Sequence, residues 1–317
     1  MPQISHLFLN LQRKIFPLSD VKSIPLESQS RMLAKVADYA QLSKLRLSLL
    51  VVFSAAIGYL LGFNGQVNWV NFFLVLSGGM LVTAASNGFN QIIERKTDAL
   101  MSRTSVRPLP AGRMSVNEAL FVSTFMALLG VVPLYIFVNH LTGILSLVSL
   151  LLYTLAYTPL KKITPLAVFV GAIPGAMPPL IGWVAATGTI VPAALSLYVL
   201  QFIWQFPHFW AIAWVLDEDY QKAGFKMLPS PDGKGKRSAF QTLVYTMSLI
   251  PLSFLPMIYG IGNIFSTVIL IVCGIAFSIQ ALKLYRKGSD DAARRLMFGS
   301  FFYLPLIQIA LLIGKMF

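Results

Sequence analysis

From about residue 45 onward the chain is a succession of apolar runs separated by short polar breaks. A helix that crosses a bilayer needs roughly 20 apolar residues. Nine runs approach that length, at 45–64, 70–93, 118–138, 141–158, 164–185, 190–215, 239–259, 262–284 and 296–314. The breaks alternate in kind. Lys44 and Arg46 precede the first run; Arg95 to Arg113, Lys161 and Lys162, Lys222 to Arg237, and Lys283 to Arg295 follow the second, fourth, sixth and eighth. The breaks near 65–69, 139–140, 186–189 and 260–261 hold no charged residue. The positive-inside rule then puts the N-terminus and the charged loops in the cytoplasm and the C-terminus outside, with only Lys315 on the far side. The pattern predicts an all-α, polytopic membrane protein of nine transmembrane helices over 41–317, with residues 1–40 as a cytoplasmic N-terminal arm.

Composition agrees with this solvent. With 56% hydrophobic and 12% charged residues over 317 positions, too little polar surface is present to cover a water-soluble domain of this size. The formal charge of +13 is scattered between apolar runs, which argues for topology and against a nucleic-acid partner. One cysteine, Cys273, excludes a disulfide framework, and the three separated histidines, His6, His140 and His208, give no zinc spacing. Residues 1–19 lack acids and carry Arg13 and Lys14. They read as an amphipathic cytoplasmic arm, with a mitochondrial targeting segment as the alternative.

The polar chemistry is concentrated in two long loops, about 94–117 and 216–238. In "NQIIERKTDALMSRTSVRPLPAGR", residues 90–113, Asn90, Glu94 and Asp98 stand four apart, so on a helix they share a face within an arc of about 80°. That ladder lies where the second run leaves the membrane. Its oxygens suit Mg²⁺, which binds through one or two carboxylates together with substrate phosphates. Arg95, Lys96, Arg103, Arg107 and Arg113 follow, and guanidinium forks match phosphate oxygens. The plainer alternative is a helix end whose acids pair locally and whose arginines meet lipid headgroups.

The second loop repeats the arrangement. "WQFPHFWAIAWVLDEDYQKAGFKMLP", residues 204–229, ends a run in Asp217, Glu218 and Asp219, followed by Lys222 and Lys226. Two acidic-then-basic loops on one membrane face can close over a single Mg²⁺-diphosphate. Lys44, Arg46, Lys161 and Lys162 are further cations within reach, although for Lys161 and Lys162 a topological role is the stronger expectation. A diphosphate beside a membrane cavity implies a lipid diphosphate, whose departure is helped by metal and arginines that absorb the developing charge. Aromatic faces would suit the allylic cation left behind. Trp204, Phe206, Phe209, Trp210 and Trp214 are available, and none is singled out.

Together with "YTPLKKITP" and "GAMPPLIGW", these stretches resemble the protoheme IX farnesyltransferases, or heme O synthases, a branch of the UbiA-type intramembrane prenyltransferases. The resemblance runs from about Leu42 to the end. It implies nine helices around a central cavity, and transfer of a farnesyl group from farnesyl diphosphate to a vinyl group of heme b, with a hydroxyl from water and release of diphosphate. It maps Asn90, Glu94 and Asp98 onto the first metal-diphosphate motif, Arg103 and Arg107 onto its diphosphate partners, and Asp219 onto the second motif. The cofactor implied is Mg²⁺; the partners are farnesyl diphosphate, heme b, the lipid bilayer, and a downstream heme A synthase or terminal oxidase. The bacterial inner membrane is the expected location, with the mitochondrial inner membrane as the alternative.

The sequence departs from the wider pattern at four places. Gln91 replaces an acid, as in the heme branch; Glu94 stands where the superfamily prefers Asp; Val215 stands where the second motif has an acid four residues before Asp219, with Asp217 or Glu218 as the available substitute; and Ala167 occupies a position after Thr164-Pro165 where Asn is expected. His208, in "PHFW", is a costly residue to place in a membrane helix and a natural iron ligand. It is the candidate on the heme side. Two other functions compete: prenylation of a quinone precursor or chlorophyllide, and transport, which would place charges near the middle of the spans.

Overall fold

The structure, a computed structural model, describes residues 26–63 and 65–316. The amphipathic or targeting segment expected over 1–19, and His6, lie outside the described residues. Two compact units are distinguished, Met1–Tyr39 and Ala40–Phe317. Of the first, the described part is the beginning of helix α1 (Leu26–Leu42); the second holds the end of that helix and all the others.

Among the described residues every regular element is helical. After α1 come α2 (Leu45–Gly62), α3 (Trp69–Asp98), α4 (Val116–Val138), α5 (His140–Leu160), α6 (Ala167–Thr187), α7 (Pro192–Val215), the short α8 (Asp217–Lys222), α9 (Lys236–Ile258), α10 (Ile264–Lys287) and α11 (Asp290–Met316). The nine long helices from α2 onward correspond to the nine runs. Eight are long and apolar enough to cross a membrane. The ninth, α7, has 24 residues and carries Gln201, Gln205 and His208, all buried.

Local sequence sets the helix ends. Asn68 accepts a hydrogen bond from Asn71 N at 3.1 Å to begin α3, and Ser115 accepts from Glu118 N at 3.1 Å to begin α4, each satisfying an otherwise unpaired amide. Pro192 begins α7, where its missing N–H costs nothing. At its 30 residues, α3 is about 45 Å long at 1.5 Å per residue. It outruns the roughly 30 Å hydrocarbon core, so its last turns carry the polar ladder beyond the lipid.

Helices adjacent in sequence pack side by side along most of the bundle, and α11 returns against both α2 and α7. The tightest joint is α2 on α6. A Cβ on Gly58 would lie 2.0 Å from the Pro179 carbonyl oxygen, and one on Gly182 would lie 1.9 Å from that of Ala55. Helix α6 also contains Pro174, Pro178 and Pro179. Pro178 and Pro179 cannot donate to the carbonyls of Pro174 and Gly175 four residues earlier. Ser149 Oγ takes the first at 3.3 Å and Gln201 Nε2 the second at 2.9 Å. In lipid such groups must find partners inside the protein, so the prolines of α6 draw polar side chains of α5 and α7 inward. Gly182→Ala should therefore cost about 1–3 kcal/mol by overpacking the joint, read as a lowered thermal unfolding midpoint of the purified protein in detergent; an unchanged midpoint would show that α2 and α6 have room to separate.

Candidate active site

The last turns of α3 present Asn90, Glu94 and Asp98 on one buried face, with Asp98 fully enclosed. Burying carboxylates requires partners, and each comes from a different loop. Lys161, just after α5, places Nζ 2.9 Å from Glu94 Oε1. Arg107 folds back from the α3–α4 loop to place Nη1 2.7 Å from Asp98 Oδ2. Asn90 accepts from Lys44 Nζ at 3.4 Å and donates to Thr158 Oγ1 at 3.1 Å. Lys44 sits between α1 and α2 at φ 47°, the only non-glycine residue with positive φ among those described. Such a conformation costs about 1–2 kcal/mol and turns the chain at the point where the lysine meets the ladder.

Each cation feels its surroundings. The pKa of Lys44 is pushed down to about 7, first by burial and then by the charges of Arg107 and Lys161. Burial works against the Lys161 ammonium too, but the Glu94 carboxylate outweighs it and its pKa is raised. Lys161 also lies 4.6 Å from the centre of the Tyr157 ring, a cation–π contact.

The second loop closes from the other side. Asp219 on α8 accepts hydrogen bonds from Ser102 N at 3.4 Å and Ser102 Oγ at 3.1 Å, and Lys222 is 3.7 Å away. Desolvation of the Asp219 carboxyl is outweighed by the Ser102 and Arg103 hydrogen bonds and by Lys222, and its pKa is lowered. A backbone bond from Lys226 N to Lys161 O at 2.7 Å ties this loop to the one after α5. Of the neighbouring acids, Asp217 accepts from Gln221 Nε2 within α8 at 2.8 Å and Glu218 is exposed.

Not every expected cation arrives. Arg46, Arg103 and Lys162 are exposed. The topological role expected for both lysines of the fourth loop fits exposed Lys162 and not Lys161, because Lys161 is buried on Glu94. Ala167 is buried at the start of α6. Gln91 has a structural use: its Nε2 donates to the carbonyls of Gln41 at 3.1 Å and Leu42 at 2.7 Å, closing the end of α1, a task for which a carboxylate has no proton. Sequence reasoning missed Ser102 and Thr158, whose hydroxyls fix Asp219 and Asn90; nothing but their nearness to the motifs marked them.

Below the ladder lies a cavity of about 260 Å³. Asn87, one turn before Asn90, lines it together with Tyr153 and Tyr157, which a π-helical turn at Leu152–Tyr157 brings to ring centres 5.1 Å apart. Gln201, Gln205 and His208 of α7 and Gln308 of α11 supply its polar lining. Gln308 Nε2 donates to Gln201 Oε1 at 3.0 Å, and Ser54 Oγ donates to Gln308 Oε1 at 3.2 Å. His208 stacks on Trp204 at 4.6 Å, and its Nδ1 is 2.7 Å from Ser300 Oγ. The Ser300 hydroxyl lies within hydrogen-bond reach of the Met297 carbonyl; a hydroxyl that donates there accepts from His208, the arrangement that selects the tautomer with its proton on Nδ1 and a lone pair on Nε2.

The Lys161–Glu94 pair yields a direct test. Lys161→Met strands a buried carboxylate and should cost about 3 kcal/mol, while Lys162→Met on the exposed neighbour should leave the unfolding midpoint unchanged. Equal effects from the two substitutions would return both lysines to a topological role.

Comparison with known proteins gives one answer. Residues 51–304 match the UbiA prenyltransferase family. A protoheme IX farnesyltransferase of Cytophaga hutchinsonii is 48% identical over 286 residues, 90% of this chain and 100% of that one. A solved digeranylgeranylglyceryl phosphate synthase superposes with TM-score 0.74 at 23% identity, over 89% of this chain and 99% of that one. A UbiA homologue from Archaeoglobus fulgidus bound to GPP and Mg²⁺ superposes with TM-score 0.66 at 17% identity, over 87% of this chain and 99% of that one. With the family match covering most of the chain, and a relative nearly half identical along its full length, this integral membrane protein belongs to the UbiA prenyltransferase family.

Proposed function

We propose that this chain transfers the farnesyl group of farnesyl diphosphate to a vinyl group of heme b, with Asn90, Glu94, Asp98 and Asp219 as metal-side residues and Lys44, Arg107 and Lys161 as diphosphate partners. The observation that carries the reading is the union of two unlike surfaces: a buried acidic ladder with matched cations, and, one turn below it, an apolar cavity lined by a buried imidazole. The acceptor is supported by the name of the relative at 48% identity. In the reaction the C–O bond between farnesyl and diphosphate breaks, a bond forms from the allylic carbon to the vinyl group, and water supplies the hydroxyl of the product while its other proton leaves with the diphosphate.

The donor set fits Mg²⁺. Asp98 Oδ1 is buried and takes no hydrogen bond among the described residues, which leaves a carboxylate oxygen for an ion that binds through one or two carboxylates together with water and substrate phosphates. When bound, Mg²⁺ would supply charge neutralisation on the diphosphate. The residues of the chain do the rest. Glu94 and Asp98 hold Lys161 and Arg107 at rest; with diphosphate present, the same cations face phosphate oxygens and stabilise the leaving group. The faces of Tyr153 and Tyr157 stand between the charged end and the cavity, where allylic charge develops. His208 Nε2 positions the acceptor by ligating its iron, and Ser300 fixes the tautomer.

The same reading puts the N-terminal arm over 1–40, the charged loops and the site on the cytoplasmic side of a bacterial inner membrane. A downstream heme A synthase or terminal oxidase would take up the product.

Glu94→Gln and Asp98→Asn should each abolish farnesyl transfer while leaving the protein folded in the membrane, and excess chelator should do the same to the unaltered chain. Full turnover under any of these conditions overturns the metal-side assignment. On the acceptor side, adding heme b to the purified protein should shift the Soret band, and His208→Ala should remove the shift. Heme binding with no His208-dependent spectral change demotes the residue to packing.

A further inference from the structure

A second cavity, of about 240 Å³, opens at the same end of the bundle, where α9 begins and α10 ends. Four cations border it: Lys234 from the loop before α9, Lys236 from its first turn, and Arg286 and Lys287 from the last turn of α10. Trp214 and Tyr285 form its walls. Lys234 is held at 3.0 Å by Asp290, which also accepts from Trp214 Nε1 at 3.1 Å. Lys236, Arg286 and Lys287 make no ion pair among the described residues. Gly235 precedes α9 without a side-chain cap, so the positive end of that helix adds to the same field.

Topology requires only that cations lie on this face. It does not require cations from three segments to gather at one aromatic-walled hollow, where their repulsion is a cost unless an anion offsets it. The flank of the hollow identifies the anion's carrier. Phe240, one turn into α9, is 53% exposed and packs on Tyr285 with ring centres 5.9 Å apart. Charge at the mouth and exposed hydrocarbon beside it are the two ends of an amphiphile, and basic hollows between helices at a membrane surface suit acidic headgroups.

We propose that this cavity binds the phosphate of an anionic glycerophospholipid, with Lys236, Arg286 and Lys287 around the phosphate and Phe240 and Tyr285 against the start of the acyl chains. Bound there, the lipid fastens the loop after α8 to the ends of α9 and α10.

The test uses the full chain reconstituted in nanodiscs of phosphatidylcholine with or without phosphatidylglycerol, then released into mild detergent for native mass spectrometry. Phosphatidylglycerol should be retained in preference to phosphatidylcholine. The triple variant Lys236→Gln, Arg286→Gln, Lys287→Gln should lose at least about tenfold of that retention, given the attraction of each basic side chain for an anionic headgroup. The exposed pair Arg294 and Arg295 lies outside the cavity, so Arg294→Gln with Arg295→Gln should retain the lipid. Equal loss in both variants would mean diffuse surface charge, and equal retention of phosphatidylcholine would mean that headgroup charge is not read. Displacement of the lipid by millimolar inorganic phosphate would make a soluble phosphate the ligand. Each of these three results overturns the proposal.

Discussion

Two carboxylates taken out of water organise the charged end of this bundle. Desolvating Glu94 and Asp98 costs several kcal/mol for each ion, and the cost is offset only while Lys161 and Arg107 stay in place. These partners belong to different loops, so the electrostatic demand of one helix end dictates the path of two others. The Asp219–Ser102 contact and the Lys226–Lys161 backbone bond then draw in the loop that carries α8. An arrangement that places opposite charges in contact before any substrate arrives is also one that a polyanionic diphosphate can reorganise with little chain movement.

The cavity has a separate origin, in backbone chemistry. Pro178 and Pro179 leave carbonyls of α6 without their usual donors, Gly58 and Gly182 bring α2 and α6 into close contact, and Ser149 of α5 and Gln201 of α7 turn inward to satisfy what the prolines free. Gln201 thereby also adds to the polar lining of the cavity. Gln205 Nε2 donates to Ala172 O at 3.1 Å, so α6 and α7 are joined by amides as well as by apolar packing.

The nine long helices, eight of them long and apolar enough to cross a membrane, were legible because lipid imposes one length on every crossing, and the acidic ladder because a spacing of four aligns residues on a helix. The family was legible in the four quoted stretches. What was not legible depended on direction rather than spacing. Lys161 and Lys162 are neighbours, yet one side chain turns to Glu94 and the other to the outside. Asp217, Glu218 and Asp219 form one acidic patch, and only Asp219 reaches Ser102 on the facing loop. Gln91 reads as a lost acid until its two carbonyl partners are seen. His208 was marked by its cost in a membrane, but its tautomer depends on Ser300, 92 positions away, which no local pattern reports.

The central claim is that the acidic ladder and the cavity beneath it are two halves of one site that prenylates heme. Its most direct test is incubation of the purified protein with heme b, farnesyl diphosphate and Mg²⁺, followed by mass measurement of the extracted pigment. The account predicts a pigment heavier than heme b by one farnesyl group and one hydroxyl, formed together with free diphosphate. Recovery of unaltered heme b from a preparation that farnesylates a quinone precursor or chlorophyllide would contradict it.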